Sequence, residues 1–134
     1  MGVGVIGPQG VTVITPPARE KQSKIGQIVA GDGSTGFAAF GLPKNAFIAG
    51  VYAISAGANT TQTVNVGFTS GGVELVSAYA PNSTGFDTVG AAAGASVGTL
   101  LTEDKTVYLK ASATLTSTVT IIVDYWIVPV GQVF

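Results

Sequence analysis

The sequence contains no cysteine and no histidine. The first absence removes disulfides and thiolate metal sites. The second removes the general base of the common catalytic triads and the commonest zinc ligand. Any catalysis would rest on seven carboxylates, six basic residues and the hydroxyls. Charge is scarce as well, at 10% of residues against about 25% in ordinary soluble domains. With a net charge of -1 and no cluster of Lys and Arg, no nucleic-acid partner is expected, because phosphate binding needs concentrated positive charge. No apolar run reaches the roughly 18 residues of a spanning helix, so no membrane partner is expected either. The opening MGVGVIGPQG lacks the basic start and long apolar run of a signal peptide. It also fails as a myristoylation site, because Ile6 stands where Ser or Thr is needed. No cofactor is expected. A surface so weakly charged is poorly protected against association.

What the chain does have is β-pattern. Residues 106–128, TVYLKASATLTSTVTIIVDYWIV, read as two strands folded back on each other as a hairpin. Val119, Ile121, Val123, Tyr125 and Ile127 share one face, which is a core face. The opposite face carries Thr118, Thr120, Ile122, Asp124, Trp126 and Val128. It is too apolar for open water and too polar for a dry core, so something covers it in part: more of the same chain, or a neighbouring subunit. Trp126 reads either as an interface anchor or as an ordinary core tryptophan.

Residues 1–20 form a segment of different character. Two short β-like runs, 2–6 and 11–15, are broken by Gly7, Pro8, Gln9 and Gly10 and closed by Pro16 and Pro17. Such punctuation makes an extended arm. Val3, Val5, Ile6, Val11, Val13 and Ile14 are costly to leave in water, and an extended apolar arm finds an edge strand, its own or a neighbour's. Arg19, Lys21 and Lys24 follow as a solvated linker or an acidic-partner contact. The expected division is an arm and linker over residues 1–23 and a β-sandwich domain over 24–134.

Further strands are expected at 25–30, 47–55, 61–69, 73–80 and 99–101, with 81–98 as a long irregular stretch that has room for a short helix at 91–95. In 47–55, Phe47, Ala49, Val51 and Ala53 face one way and Ile48, Gly50, Tyr52 and Ile54 the other; apolar on both faces, it is an interior strand. Several motifs match formally and fail on context. The loop 31–36, GDGSTG, fits the dinucleotide fingerprint, but no helix long enough follows and no acidic residue lies about 20 positions on. Residues 94–98, GASVG, fit a nucleophile elbow that has no histidine to serve it. Glu103 and Asp104 are adjacent carboxylates that point apart, with no third calcium ligand nearby. No carboxylate pair is singled out for glycoside hydrolysis. Tyr79, Asn82, Phe86 and Asp87 make a candidate sugar-contacting set on the long loop.

Many short strands at turn-marked intervals predict an antiparallel β-sandwich or jelly roll with an extended N-terminal arm, a barrel being the second choice. The succession of LPKNAFIAGVYAIS, TTQTVNVGF with a Gly-rich turn, a small-residue loop and TVYLKASATLTSTVTIIVDYWIV resembles small β-sandwich virion proteins of tailed bacteriophages, of the capsid decoration or cement type. The resemblance spans residues 42–128. It implies a non-enzymatic subunit on the capsid exterior, assembled in the host cytoplasm, that binds the lattice of the major capsid protein, often as a homotrimer. A tail, neck or fibre module, with a receptor-binding role, is the alternative it leaves. The interface residues expected on that reading are Val3, Val5, Ile6, Val11, Val13 and Ile14 of the arm with Ile122, Trp126 and Val128 of the last strand.

Overall fold

The computed structural model describes residues 21–128. Eight strands follow one another: β1 (Lys21–Ile28), β2 (Phe37–Leu42), β3 (Ala46–Ser55), β4 (Val64–Gly67), β5 (Val76–Tyr79), β6 (Gly85–Asp87), β7 (Lys105–Ala111) and β8 (Val119–Ile127). One turn of 3₁₀ helix, Gly90–Ala92, sits between β6 and β7. The strands form two four-stranded antiparallel sheets, sheet I in the order β1-β8-β3-β6 and sheet II in the order β2-β7-β4-β5. No helix among the described residues is long and apolar enough to cross a membrane.

The core lies between the sheets. Val119, Ile121 and Val123 of β8 are fully buried with Ile48, Ala53 and Val51 of β3, and they share one cluster with Val64 and Val66 of β4 and Val107 and Leu109 of β7. Alternation puts these residues on one side of each strand, so sequence period two becomes a two-layer core. The layers approach closely at Gly26 in β1, where an added Cβ would stand 2.9 Å from Ala39 Cβ and 3.2 Å from Leu109 Cδ1. Only glycine lets the edge of sheet I come down onto sheet II at that point.

The expected hairpin does not form. β7 pairs with β2 and β4, whereas β8 pairs with β1 and β3, so the two strands face the core from opposite sheets. The residues between them are a crossover pinned from within. Leu115 is buried, its carbonyl accepts from the Gly31 N–H and its N–H donates to the Asp32 carbonyl. Asn59, fully buried, accepts from the Thr116 and Ser117 N–H groups at 2.9 and 3.0 Å and donates to the Ser117 carbonyl at 3.1 Å. A tight hairpin would leave Leu115 in water; the crossover gives it a place inside. Asn59 also begins a glycosylation triplet, and its buried, bonded amide is closed to modification.

β3 is interior to sheet I, as its two apolar faces suggested, but the alternation changes phase. A bulge between Ile48 and Gly50 leaves Ala46, Ile48, Val51, Ala53 and Ser55 all buried, and turns Phe47 and Ala49 outward. β5 breaks alternation too: Leu75 and Val76 are both buried, and Ala78 at φ 54° resets the chain so that Tyr79 goes in. β2 and β6 were not expected as strands, and residues 99–101 contribute a single bridge, Leu100 to Phe47. Lys21 and Lys24, assigned to a linker or partner contact, belong to β1.

Candidate interaction surface

The register of sheet I lays its outward side chains in rows across the strands. Lys21, Trp126 and Phe47 form the first row; Ser23, Asp124 and Gly50 the second; Ile25, Ile122 and Tyr52 the third; Gln27, Thr120, Ile54 and Phe86 the fourth. Directly opposed side chains stand about 5 Å apart. The third row, with Ile54 and Phe86 at one end of the fourth, therefore makes an apolar patch, while Gln27 and Thr120 in the fourth row bond to each other at 3.0 Å. The patch is open: Ile25 is 60% exposed, Phe86 63% and Ile54 40%. Tyr52 stacks on Phe86 with ring centroids 5.4 Å apart, which bridges the two rows.

The second row is polar and internally satisfied. Ser23 Oγ donates to Asp124 Oδ1 at 2.5 Å, and Lys21 Nζ lies 3.2 Å from Asp124 Oδ2. The Tyr52 hydroxyl stands over Gly50, 2.9 Å from where a Cβ would be. Asp124 is consequently nearly covered although it sits on an outer face. Polar groups paired with one another across the first two rows suit a face that meets another protein, because Lys21 and Asp124 present no unpaired charge to be desolvated. Sheet II differs: its outward side chains on β7 are Thr106, Tyr108 and Lys110, with Asn65 opposite Lys110.

Of the expected interface residues, Ile122 and Trp126 lie on this face and are half-buried. Val128 follows β8, half-buried, and its N–H donates to the Asn45 carbonyl at 2.9 Å. Val3, Val5, Ile6, Val11, Val13 and Ile14 lie outside the described residues. Ile25, Tyr52, Ile54 and Phe86 were not expected at an interface. Tyr52 and Ile54 had a signal, the second apolar face of β3, which was taken as burial. Phe86 stands in a stretch of small residues where no period marked a strand.

Most carboxylates of the described residues are bonded within the chain. Glu74 accepts from the Phe68 N–H at 2.9 Å and Asp104 from the Lys44 N–H at 2.8 Å. Glu103 pairs with Lys105 at 2.8 Å, and that contact holds its carboxyl below the usual range. Asp87 accepts from the Tyr79 hydroxyl at 3.1 Å. Burial, then the bond to Asp87 and its charge, push the Tyr79 phenol up to about 12. Ser55 Oγ, buried beside it without a well-formed hydrogen bond, pulls weakly the other way. Tyr79 and Asp87 are thus bound to each other, Tyr79 is buried and Phe86 belongs to sheet I, so the proposed sugar-contacting loop is not assembled as a site. No group of three His, Cys, Asp or Glu that would hold a metal occurs among the described residues.

The glycine loop 31–36 lines an open depression of about 430 Å³ with Gln27, Val29 and Phe37. Strand β2 follows it, so no helix N-terminus is presented to a pyrophosphate. Ser96 lies in a turn, its N–H donating to the Glu74 carbonyl, and not on a strand-to-helix elbow.

The chain is therefore an all-β protein of two stacked antiparallel sheets with one half-apolar outer face. No protein-family model matches the sequence, and no curated protein matches it. Among solved structures it is similar to a chain of the cyanophage Pam1 capsid asymmetric unit, with a TM-score of 0.54 and 20% identity, over 96% of this chain and 100% of that one. At that identity the likeness is one of fold.

Proposed function

We propose that this chain is a non-enzymatic structural protein of a bacteriophage virion, a decoration or cement subunit that binds the assembled capsid lattice from outside and stabilises it. The observation that carries the reading is the fold shared along nearly the whole of both chains with a member of a cyanophage capsid assembly unit. The strand order β1-β8-β3-β6 over β2-β7-β4-β5 supports naming the fold a jelly roll, in which two Greek keys supply the two sheets. The partner is the lattice of the major capsid protein, and the chain acts as a homotrimer that gains stability on assembly. Its contacts come from two places: Ile122, Trp126 and Val128 on the side of sheet I, and the apolar residues Val3, Val5, Ile6, Val11, Val13 and Ile14 of the arm that precedes β1. Many modest contacts repeated over a lattice add by avidity, so a weakly charged subunit needs no strong individual site.

The test is sedimentation of the purified protein with undecorated shells of its own phage. Saturable co-sedimentation and a raised shell melting temperature support decoration. A stable oligomer left in the supernatant moves the chain to the tail, neck or fibre of the virion.

A further inference from the structure

We propose that the arm of one copy docks on a second copy, its run 11–15 pairing with the outer edge of β1 and its run 2–6 lying on the apolar patch of Ile25, Ile122, Tyr52, Ile54 and Phe86 on sheet I. The proposal rests on reading the chain as an assembly subunit, and it names the acceptor surface. Three observations converge on it. β1 is an edge strand of eight residues, paired with β8 without a register shift and with no strand on its other side among the described residues. It carries neither proline nor bulge, and only Lys21 and Lys24 oppose a further strand. An edge of that kind templates another strand unless it is covered.

The surface beside that edge is exposed at Ile25. Ile25 stands on the outer side of β1 itself, in the row that continues through Ile122 and Tyr52 to the ring of Phe86. A strand added to β1 would place alternate side chains beside Ile25 and extend that row.

The third observation is where the apolar arm attaches. Residues 1–20 join the fold at Lys21, the first residue of this same edge strand, at the end marked by Trp126 and Phe47. Residues 3–15, if extended, span about 43 Å at 3.3 Å per residue, enough to follow β1 and turn at Gly7–Gly10 onto the face, which is about 14 Å wide across four strands. The junction decides between copies. A residue before proline is pushed to extended backbone, and Thr15 and Pro16 both precede one. That restriction disfavours a tight turn at 15–17 back onto the chain's own edge, so the acceptor is a neighbour's edge.

The absence of cysteine gives a clean test. Full-length Val11→Cys or Val13→Cys protein is mixed with isotope-labelled Ile25→Cys protein, oxidised, and the mixed disulfide dimers are counted by mass. Ser70→Cys, on an exposed turn after β4, replaces Ile25→Cys as the control. Docking holds the thiols at millimolar effective concentration against micromolar chance encounter, so mixed dimers with Ile25→Cys should exceed the control by about tenfold or more. Efficient closure of the double variant Val13→Cys/Ile25→Cys within one chain would overturn the proposal in favour of the chain's own arm. Control-level cross-linking by variants whose circular dichroism matches the parent would overturn it as well. No capsid is present in the experiment, so cross-linking without shell binding rejects the decoration reading alone, and shell binding without cross-linking rejects only this contact.

Discussion

Asn59→Ala should destabilise the protein more than any other single polar truncation at a crossover, because one buried amide holds the connection that separates β7 from β8. Its Oδ1 accepts from the Thr116 N–H at 2.9 Å, the Ser117 N–H at 3.0 Å and the Thr116 hydroxyl at 3.1 Å, while Nδ2 donates to the Ser117 carbonyl at 3.1 Å. Alanine leaves two N–H groups and a carbonyl without these partners. Each orphaned group costs about 1–3 kcal/mol when fully buried. Thr116 is exposed, so water repays part of the loss and a net of about 2–3 kcal/mol is expected. For a domain of this size that lowers Tm by about 7–11 °C. Urea denaturation should show a lower midpoint at unchanged m-value. A loss below about 0.5 kcal/mol would refute the idea that this amide anchors the crossover.

Four other outcomes follow from the packing and the surface. Leu115→Ala, removing the buried side chain of the same crossover, should cost about 2–5 kcal/mol in the same denaturation assay. Gly26→Val drives a side chain into Ala39 and Leu109 and should cost at least about 1–3 kcal/mol of stability. Above pH 10 the unfolded chain ionises the tyrosine that the fold keeps protonated to about 12. Stability contributed by Tyr79 is therefore fully present below pH 10 and falls as pH rises through that window, by up to about 3 kcal/mol, and Tyr79→Phe should flatten that part of the alkaline stability profile. Ile25→Asp with Phe86→Asp, at two largely exposed positions, should leave the melting temperature within a few degrees of the parent while weakening association.

The sequence made the core face of β8 readable because nothing interrupts its alternation, and Val119, Ile121, Val123 and Tyr125 are all buried. The half-covered opposite face was readable for the same reason. Phase errors arose where the backbone departs from period two, at the bulge after Ile48 and at Ala78, whose positive φ is not signalled by alanine. The mistaken hairpin has a different cause. Two amphipathic strands joined by a short polar segment look alike whether they pair or face each other, and only the partners of Leu115 and Asn59, far apart in sequence, decide it. Phe86 was hidden by the same limitation, since a three-residue strand has no period to detect and its exposure depends on β3 beside it.

The most direct test of the account compares the full chain, a variant lacking residues 1–17, and Ile25→Asp/Phe86→Asp by co-sedimentation with undecorated shells of the phage that encodes the protein. The account predicts saturable binding of the parent that raises the shell melting temperature, with binding lost or greatly weakened in the folded truncation and in the double variant. Equal binding by all three proteins would contradict the assigned surfaces, and a parent that remains in the supernatant would contradict the decoration role itself.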